Sequence, residues 1–358
     1  MDDGRLRIID NINGKKLMAV SPASIGPSDK LKRMLSNGNV TCITKDSNPD
    51  GISGPALLVY NYGMKPENTI LTNYKDLDRM LARLNRAKIS DSVIVFNDMG
   101  ISPGNLDNSM KILKLLKSRK NRIIWIDHHP WDKEVVGSVR NLIDFAVFGE
   151  NPRYCATELV FLLLCKDDKT GRKIAMLAHY ADFAIKSKYD ALLKKLSYAI
   201  MQSGYDLRTK DKKIYKIIKA VSELDFNNRL VTKLYSAYIK DEAKNMVSLL
   251  KNSRKIKTGK YSVGLAFGER LQTNAACAAM KRALHTDINI YVNIKTGKSG
   301  IRGRNGLDSS LIAKRLGGGG HPQASGFSIN PSKLKNSNKS EMERFAKKIG
   351  RISEALYG

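Results

Sequence analysis

The sequence predicts an α/β chain in two folded parts. A parallel-sheet domain over residues 1–190 is followed by a helical linker region, 191–254. A smaller α/β domain occupies 255–332, and a basic helix or tail runs over 333–358. Three observations carry this expectation. Short continuous apolar runs alternate with helically spaced apolar residues in the first third of the chain, as expected of strands buried on both faces between crossover helices. Residues 155–250 then read as helix almost throughout. Strand-like runs return after residue 260.

The elements follow in order. Val40 to Thr44 is a short β-prone run, and Gly51 to Tyr60 reads as a helix. Tyr74 to Lys88 carries Leu77, Met80, Leu81 and Leu84 at helical spacing. Ser92 to Asn97 is a continuous apolar run and reads as a buried strand. Asn108 to Lys120 is an amphipathic helix, and Arg122 to Ile126 a second buried strand. Within the helical stretch, Lys210 to Lys219 is Lys-rich; it either borders the connection between domains or is a solvated helix face. Beyond it, Tyr261 to Phe267 reads as a strand, Leu271 to Leu284 as an Ala-rich helix and Ile288 to Lys295 as a strand. Ser309 to Arg315 is a short helix and Ala324 to Ile329 a last strand.

Composition narrows the function classes. The chain has 358 residues and is 42% hydrophobic, enough for a buried core. Its 62 Lys+Arg against 34 Asp+Glu give a net charge of +28, a field that concentrates polyanions. Cys42, Cys155, Cys165 and Cys277 form no Cys-x-x-Cys pair and no disulfide framework, which disfavours a zinc ribbon and suits a reducing compartment. No stretch approaches 18 uncharged apolar residues, so no membrane-spanning helix is expected. A cytoplasmic protein is the expectation.

The chemistry gathers at strand ends. After Val40–Thr44 comes Asp46-Ser47-Asn48-Pro49-Asp50-Gly51; after Ser92–Asn97 comes Asp98; after Arg122–Ile126 comes Asp127-His128-His129. In an open parallel sheet the carboxyl ends of the strands share one edge, where ligands bind. Carboxylates crowded with imidazoles need cations and suit manganese, magnesium or zinc. Two of the pieces alone have a commoner explanation, Asp-Gly as a turn and Asp98 as a helix cap; Asp127-His128-His129 is harder to dismiss, although adjacent histidines also occur on ordinary surfaces. Three strand ends in conjunction favour a metal centre.

These residues resemble the DHH superfamily of phosphoesterases. Asp127-His128-His129 after an apolar strand matches the signature that names the superfamily. Asp46-x-Asn48-x-Asp50-Gly51 is similar to its first motif in the RecJ-type form, and Asn97-Asp98-Met99-Gly100 to its second. Asp182 in Ala178-His179-Tyr180-Ala181-Asp182 resembles the fourth. Downstream, Ile301-Arg302-Gly303, Asp308 to Ala313 and Gly317-Gly318-Gly319-Gly320-His321 through Phe327 resemble the DHH-associated substrate domain.

The resemblance, over residues 40–330, implies a parallel-sheet DHH domain joined by a helical linker to a smaller α/β DHH-associated domain. It implies two divalent ions, manganese foremost or magnesium. One would be held by Asp46, Asn48 and Asp98, the other by Asp50, Asp98, His128 and Asp182. His129 would face the scissile phosphate and Asp127 would orient a histidine. Arg302, His321 and the backbone of Gly318, Gly319 and Gly320 would contact substrate phosphates. One position departs from the pattern: Asn48 stands where the RecJ-like form carries aspartate, a neutral oxygen in place of a charged one. His179 reads either as a neighbour of the metal ligands or as a structural residue, and His285 as a surface residue. Trp131 and Tyr180 are candidates to stack a base, core packing being the commoner role of such rings.

Three functional readings follow. The first is an exonuclease on single-stranded DNA or RNA, which the net charge favours. The second is a nanoRNase-like or cyclic-dinucleotide phosphodiesterase. The third is a catalytically weak or inactive scaffold with a replication or repair partner, which rests on Asn48.

Overall fold

The structure, a computed structural model, describes residues 6–12, 14–20, 25–45, 47–72, 76–149, 154–165, 167–258, 261–304, 307–330 and 339–357. Asp46 of the first motif and Tyr74 and Lys75 of the expected helix fall outside the described residues. The chain divides into two compact units, Met1–Tyr238 and Ile239–Gly358.

The first unit opens with β1 (Leu6–Asp10) and β2 (Lys15–Val20), an antiparallel pair, then α1 (Asp29–Asn37) and β3 (Asn39–Lys45). It continues through α2 (Pro49–Tyr62), β4 (Thr69–Thr72), α3 (Leu77–Ala87), β5 (Ser92–Asn97), α4 (Leu106–Ser118) and β6 (Arg122–Ile126). Next come α5 (Lys133–Val139), β7 (Phe145–Phe148), α6 (Ala156–Leu164), α7 (Lys169–Asp182), α8 (Asp190–Ser203) and α9 (Lys210–Ser222). The unit boundary falls inside a long helix, α10 (Arg229–Asn252).

Seven strands form one sheet in the order β2-β1-β7-β6-β5-β3-β4. β3 through β7 run parallel to one another, and β1 pairs antiparallel with both β7 and β2. Alternation explains the continuous apolar runs. Cys42, Val93, Val95, Ile124 and Ile126 enter one core layer, with α2, α6, α8 and α9. Ile43, Ile94, Phe96, Ile123 and Trp125 enter the layer on α3, α4 and α5. A strand with both faces buried has no polar face to display.

The helices of the expected linker region bury apolar stripes in that first layer: Leu193, Leu196 and Ile200 from α8, Ile214, Ile217 and Val221 from α9. The Lys-rich stretch is therefore amphipathic, with Lys212, Lys216 and Lys219 on its exposed side. That is the solvated helix face.

The second unit contains β8 (Arg254–Thr258), β9 (Tyr261–Gly268), α11 (Thr273–Leu284), β10 (Ile288–Asn293), β11 (Ser299–Gly303) and α12 (Ser309–Arg315). It closes with β12 (Gly319–His321), β13 (Ala324–Gly326) and α13 (Lys339–Tyr357). Its six strands lie in the order β12-β13-β11-β10-β9-β8, and only the β9–β10 pair, bridged by α11, is parallel.

Several boundaries shift for local reasons. α4 ends at Ser118 because Lys120 adopts a left-handed φ of 58°. β10 ends at Asn293, whose side-chain oxygen accepts from the backbone N–H of Lys295 and Thr296, both at 3.0 Å. β13 stops at Gly326, leaving a single bridge between Lys298 and Ser328 beyond it.

Candidate metal centre

The sheet register brings the chemistry together. Thr44 pairs with Asn97, and Asn97 with Ile126, so the residues following β3, β5 and β6 emerge at one edge. The connections from β3 and β5 leave in opposite directions, toward β4 and β6, and such a reversal opens a crevice between strand ends. Asn48 and Asp50 lie on one side of it and Asp98 on the other.

α2 presses against that edge because Gly51 lacks a side chain: a Cβ there would collide with the carbonyl oxygen of Lys45. Asp50, in the first turn of α2, is completely buried. Its two oxygens accept the backbone N–H groups of Ala156, at 3.0 Å, and Thr157, at 2.8 Å, the first residues of α6. A helix N-terminus with exposed N–H groups is a natural seat for a carboxylate. Burial and the negative charges of Asp98 and Asp182 nevertheless push the Asp50 carboxyl up to about 6.

Asp98 is buried and sits at φ 52°, a left-handed backbone that only Asn, Asp and Gly adopt readily. Its Oδ1 receives no hydrogen bond. His128 Nε2 stands 3.7 Å from that oxygen and 3.7 Å from Asp182 Oδ2. Burial opposes charging of His128, but Asp98, Asp50, Asp127 and Asp182 together push it up to about 9. Asp182 ends α7, where the helix dipole disfavours a carboxylate, and its carboxyl is raised by burial and by Asp98. An acid kept at a helix C-terminus among other acids is a costly arrangement without a cation.

Asp127 is fully buried and holds His129, with Nδ1 at 2.7 Å from Oδ1, while Trp131 Nε1 donates to its other oxygen at 3.3 Å. That contact, with desolvation opposing it, raises the His129 imidazole and leaves Nε2 as the ring's outward nitrogen. Trp131 itself is core. It stacks on Phe148 at 4.4 Å and meets Trp125 edge-on at 5.4 Å, so base stacking is excluded for this ring. Tyr180 is half-buried, stacked on Tyr189 at 6.3 Å.

The donors fit a divalent ion and fall into two overlapping groups, Asp50, His128 and Asp182 in one and Asp98, Asp127, His128 and His129 in the other. Ligand atoms of Asp50, His128 and Asp182 lie within 4.8 Å of one another, and the unpartnered Asp98 Oδ1 adjoins the same imidazole. Carboxylate oxygens with one imidazole match the preferences of manganese or magnesium better than those of a soft metal. Asn48 stands differently. Its side-chain oxygen caps α2 by accepting from Gly51 N at 3.1 Å, and its amide nitrogen donates to Asp98 Oδ2 at 3.1 Å. The carboxamide thus turns its nitrogen toward Asp98.

Two participants escape a sequence reading. Lys45 places its ammonium 3.8 Å from Asp98 Oδ2. Glu158 accepts from Cys155 N at 2.9 Å and pairs with His179 at 2.7 Å, tying the start of α6 to the helix that ends in Asp182. His179 is therefore a structural strut beside the ligands. The Glu three residues after Cys155 is a capping-box spacing that could have been read. A lysine in so basic a chain carries no signal.

In the second unit Arg302, on β11, donates from Nε to Asn274 at 2.8 Å and from Nη1 to the Ile301 carbonyl at 2.7 Å. Gly318 N donates to Ala313 O at 2.8 Å, closing α12, so this N–H is committed to the helix and not offered to a phosphate. A Cβ on Gly318 would strike the Gly326 carbonyl, and Gly320 takes φ 130°. Gly319, Gly320 and His321 pair with Gly326, Ser325 and Ala324 in the β12–β13 hairpin. Part of the glycine demand is thus the close packing of that hairpin. His285 caps α11 and is exposed.

No protein-family model matches the sequence, and no curated protein matches it. Solved structures do match. The manganese complex of RecJ from Thermus thermophilus is 15% identical over 90% of this chain and 54% of its own, with a TM-score of 0.55. This chain thus spans about half the length of that protein. A manganese-bound exonuclease RecJ is 14% identical over 92% of this chain and 93% of its own, with a TM-score of 0.50. The likeness is one of fold.

Proposed function

We propose that this chain, whose fold is that of the DHH superfamily, is a divalent-metal-dependent phosphodiesterase that shortens single-stranded nucleic acid from one end. The observation that carries the reading is Asp98 Oδ1. It is a buried carboxylate oxygen with no hydrogen bond, beside Asp50, His128 and Asp182 at a sheet's switch point. An ion held by those four residues would supply charge to a phosphoryl oxygen and a usable nucleophile near neutral pH.

The chain's own groups do the rest. Asp50 is fixed by the α6 N-terminus and cannot swing away when charged. Asp127 holds Nδ1 of His129, so that Nε2 is free to donate to a phosphate oxygen as negative charge grows on it. Arg302 and the glycine-rich β12–β13 hairpin are proposed to grip the backbone of the strand. Manganese is the expected ion, magnesium the substitute. The net +28 supports a polyanionic substrate, held more weakly as salt rises. A cytoplasmic location belongs to the same reading, which the four free, buried cysteines suit.

The test is a ladder assay. End-labelled single strands of DNA and RNA, from very short to long, are incubated with Mn2+, Mg2+ or chelator, and His128→Ala/Asp127→Ala serves as the control for contaminants. A metal-dependent ladder on long strands, absent from the control, is the expected result. Cleavage confined to the shortest chains moves the assignment to a short-oligonucleotide phosphodiesterase. No cleavage with any metal, with strand binding retained, makes the chain a scaffold.

A further inference from the structure

The two oxygens of Asp98 face different partners. Oδ1 is bare and lies on the side of His128. Oδ2 receives the Asn48 amide at 3.1 Å and has the Lys45 ammonium at 3.8 Å. The orientation of Asn48 is set twice over. Gly51 N–H needs an acceptor at the start of α2, and the Asp98 carboxylate needs a donor; reversing the carboxamide would break both contacts. A metal ion on Oδ2 would have to displace an ammonium and an amide donor, and Asn48 would have no oxygen to offer it.

We infer that Lys45 and Asn48 take the place of a second metal ion, so that this centre binds a single divalent cation, held by Asp50, Asp98, His128 and Asp182. The inference rests on the metal-dependent reading above and narrows it. Charge balance agrees. The carboxylates of Asp50, Asp98 and Asp182 are matched by one ammonium and one divalent ion, while Asp127 is paired with His129. Among these described groups alone, a second divalent ion would leave an excess of positive charge. Asp46 lies outside the described residues and enters neither side of this balance. A lysine is also the cheaper device in one respect: its charge is present without any ion in the medium.

The deciding measurement is Mn2+ binding to the full-length protein without substrate, by equilibrium dialysis and by electron paramagnetic resonance. The wild type is expected to bind one Mn2+ per chain, with an uncoupled six-line signal. Asn48→Asp/Lys45→Ser removes the ammonium and restores a carboxylate; it is expected to bind two, with the broadened signal of a coupled pair. Lys45→Gln alone, a milder change, should still bind one, because Asn48 continues to block Oδ2. A cooperative thermal transition checks that each variant is folded. Two Mn2+ in the wild type overturns the inference, as does a folded double variant that binds only one. One Mn2+ with no cleavage of any strand refutes the hydrolase and leaves this inference standing. No Mn2+ at all sinks both.

Discussion

The two units distribute charge in opposite ways. The first, 238 residues long, carries 39 Lys+Arg and 26 Asp+Glu, and among the described residues it holds every carboxylate residue buried as a whole: Asp10, Asp50, Asp98, Asp127 and Asp144. The second is half that length and carries 23 Lys+Arg against 8 Asp+Glu; none of its described carboxylate residues is buried as a whole, and a single oxygen, Glu242 Oε1, is buried without a hydrogen bond. Asp144 is the instructive control inside the first unit. It is neutralised by Lys117 at 2.9 Å and Arg122 at 3.0 Å and accepts the Ile123 N–H. Asp98, equally buried, is left with a bare oxygen. Net charge therefore says little about where a cation is wanted; the pairing of individual oxygens says a great deal. The unpaired oxygen of Asp98 is what makes the first unit the candidate for a cation.

The comparison can be broken at its strongest point. Asp98→Asn keeps a side chain that tolerates the left-handed backbone but removes the ligand charge. Several kcal/mol of electrostatic stabilisation should go with it, on the order of a 10³-fold loss of turnover, together with loss of Mn2+ binding by dialysis. Retained Mn2+ affinity would place the ion elsewhere. Asp127→Asn should act through His129. A drop of roughly 10–100-fold in kcat is expected, the magnitude of losing a partner that orients an imidazole at such a site, with the Mn2+ stoichiometry unchanged.

Arg302→Ala addresses the second unit. Loss of one charge-assisted contact predicts a rise in KM of about tenfold with kcat little altered, and a shallower dependence of strand binding on salt. An unchanged KM would detach the second unit from the substrate.

A smaller effect is thermal. The raised Asp50 carboxyl contributes stability to the ion-free fold that is full below 3.8 and lost as pH rises through about 6. His128, raised from 6.5 to about 9, contributes stability that is full below 6.5 and lost as pH rises through about 9. The Tm of chelator-treated protein should therefore fall between pH 6.5 and about 9, and saturating Mn2+ should remove the fall. A Tm that is flat without the ion would mean the imidazole is not held among those acids.

Much of this arrangement was legible in the sequence, for definite reasons. Ser92–Asn97 and Arg122–Ile126 were readable to the residue because a strand buried on both faces is apolar throughout. Asp98 and Asp127 to His129 then followed from where parallel strands end. The four-residue strands β4 and β7 were not readable, since so few residues establish no period, and in β1 and β2 charged residues (Arg7, Asp10, Lys15, Lys16) interrupt the apolar run. Asn48 was legible as a departure, but not the direction its carboxamide would face, which depends on Gly51 N–H and Asp98 meeting it from either side. Lys45 is invisible to pattern because its role arises from a partner far away in the chain, on the loop after β5.

The clasp between Asp50 and the start of α6 makes the ligand audible from outside the site. Whatever draws electron density from that carboxylate must weaken its hold on the amide protons of Ala156 and Thr157. Those two backbone resonances form a built-in gauge of ion occupancy. They can be followed by NMR in a protein that is turning over nothing, and in variants too damaged to assay.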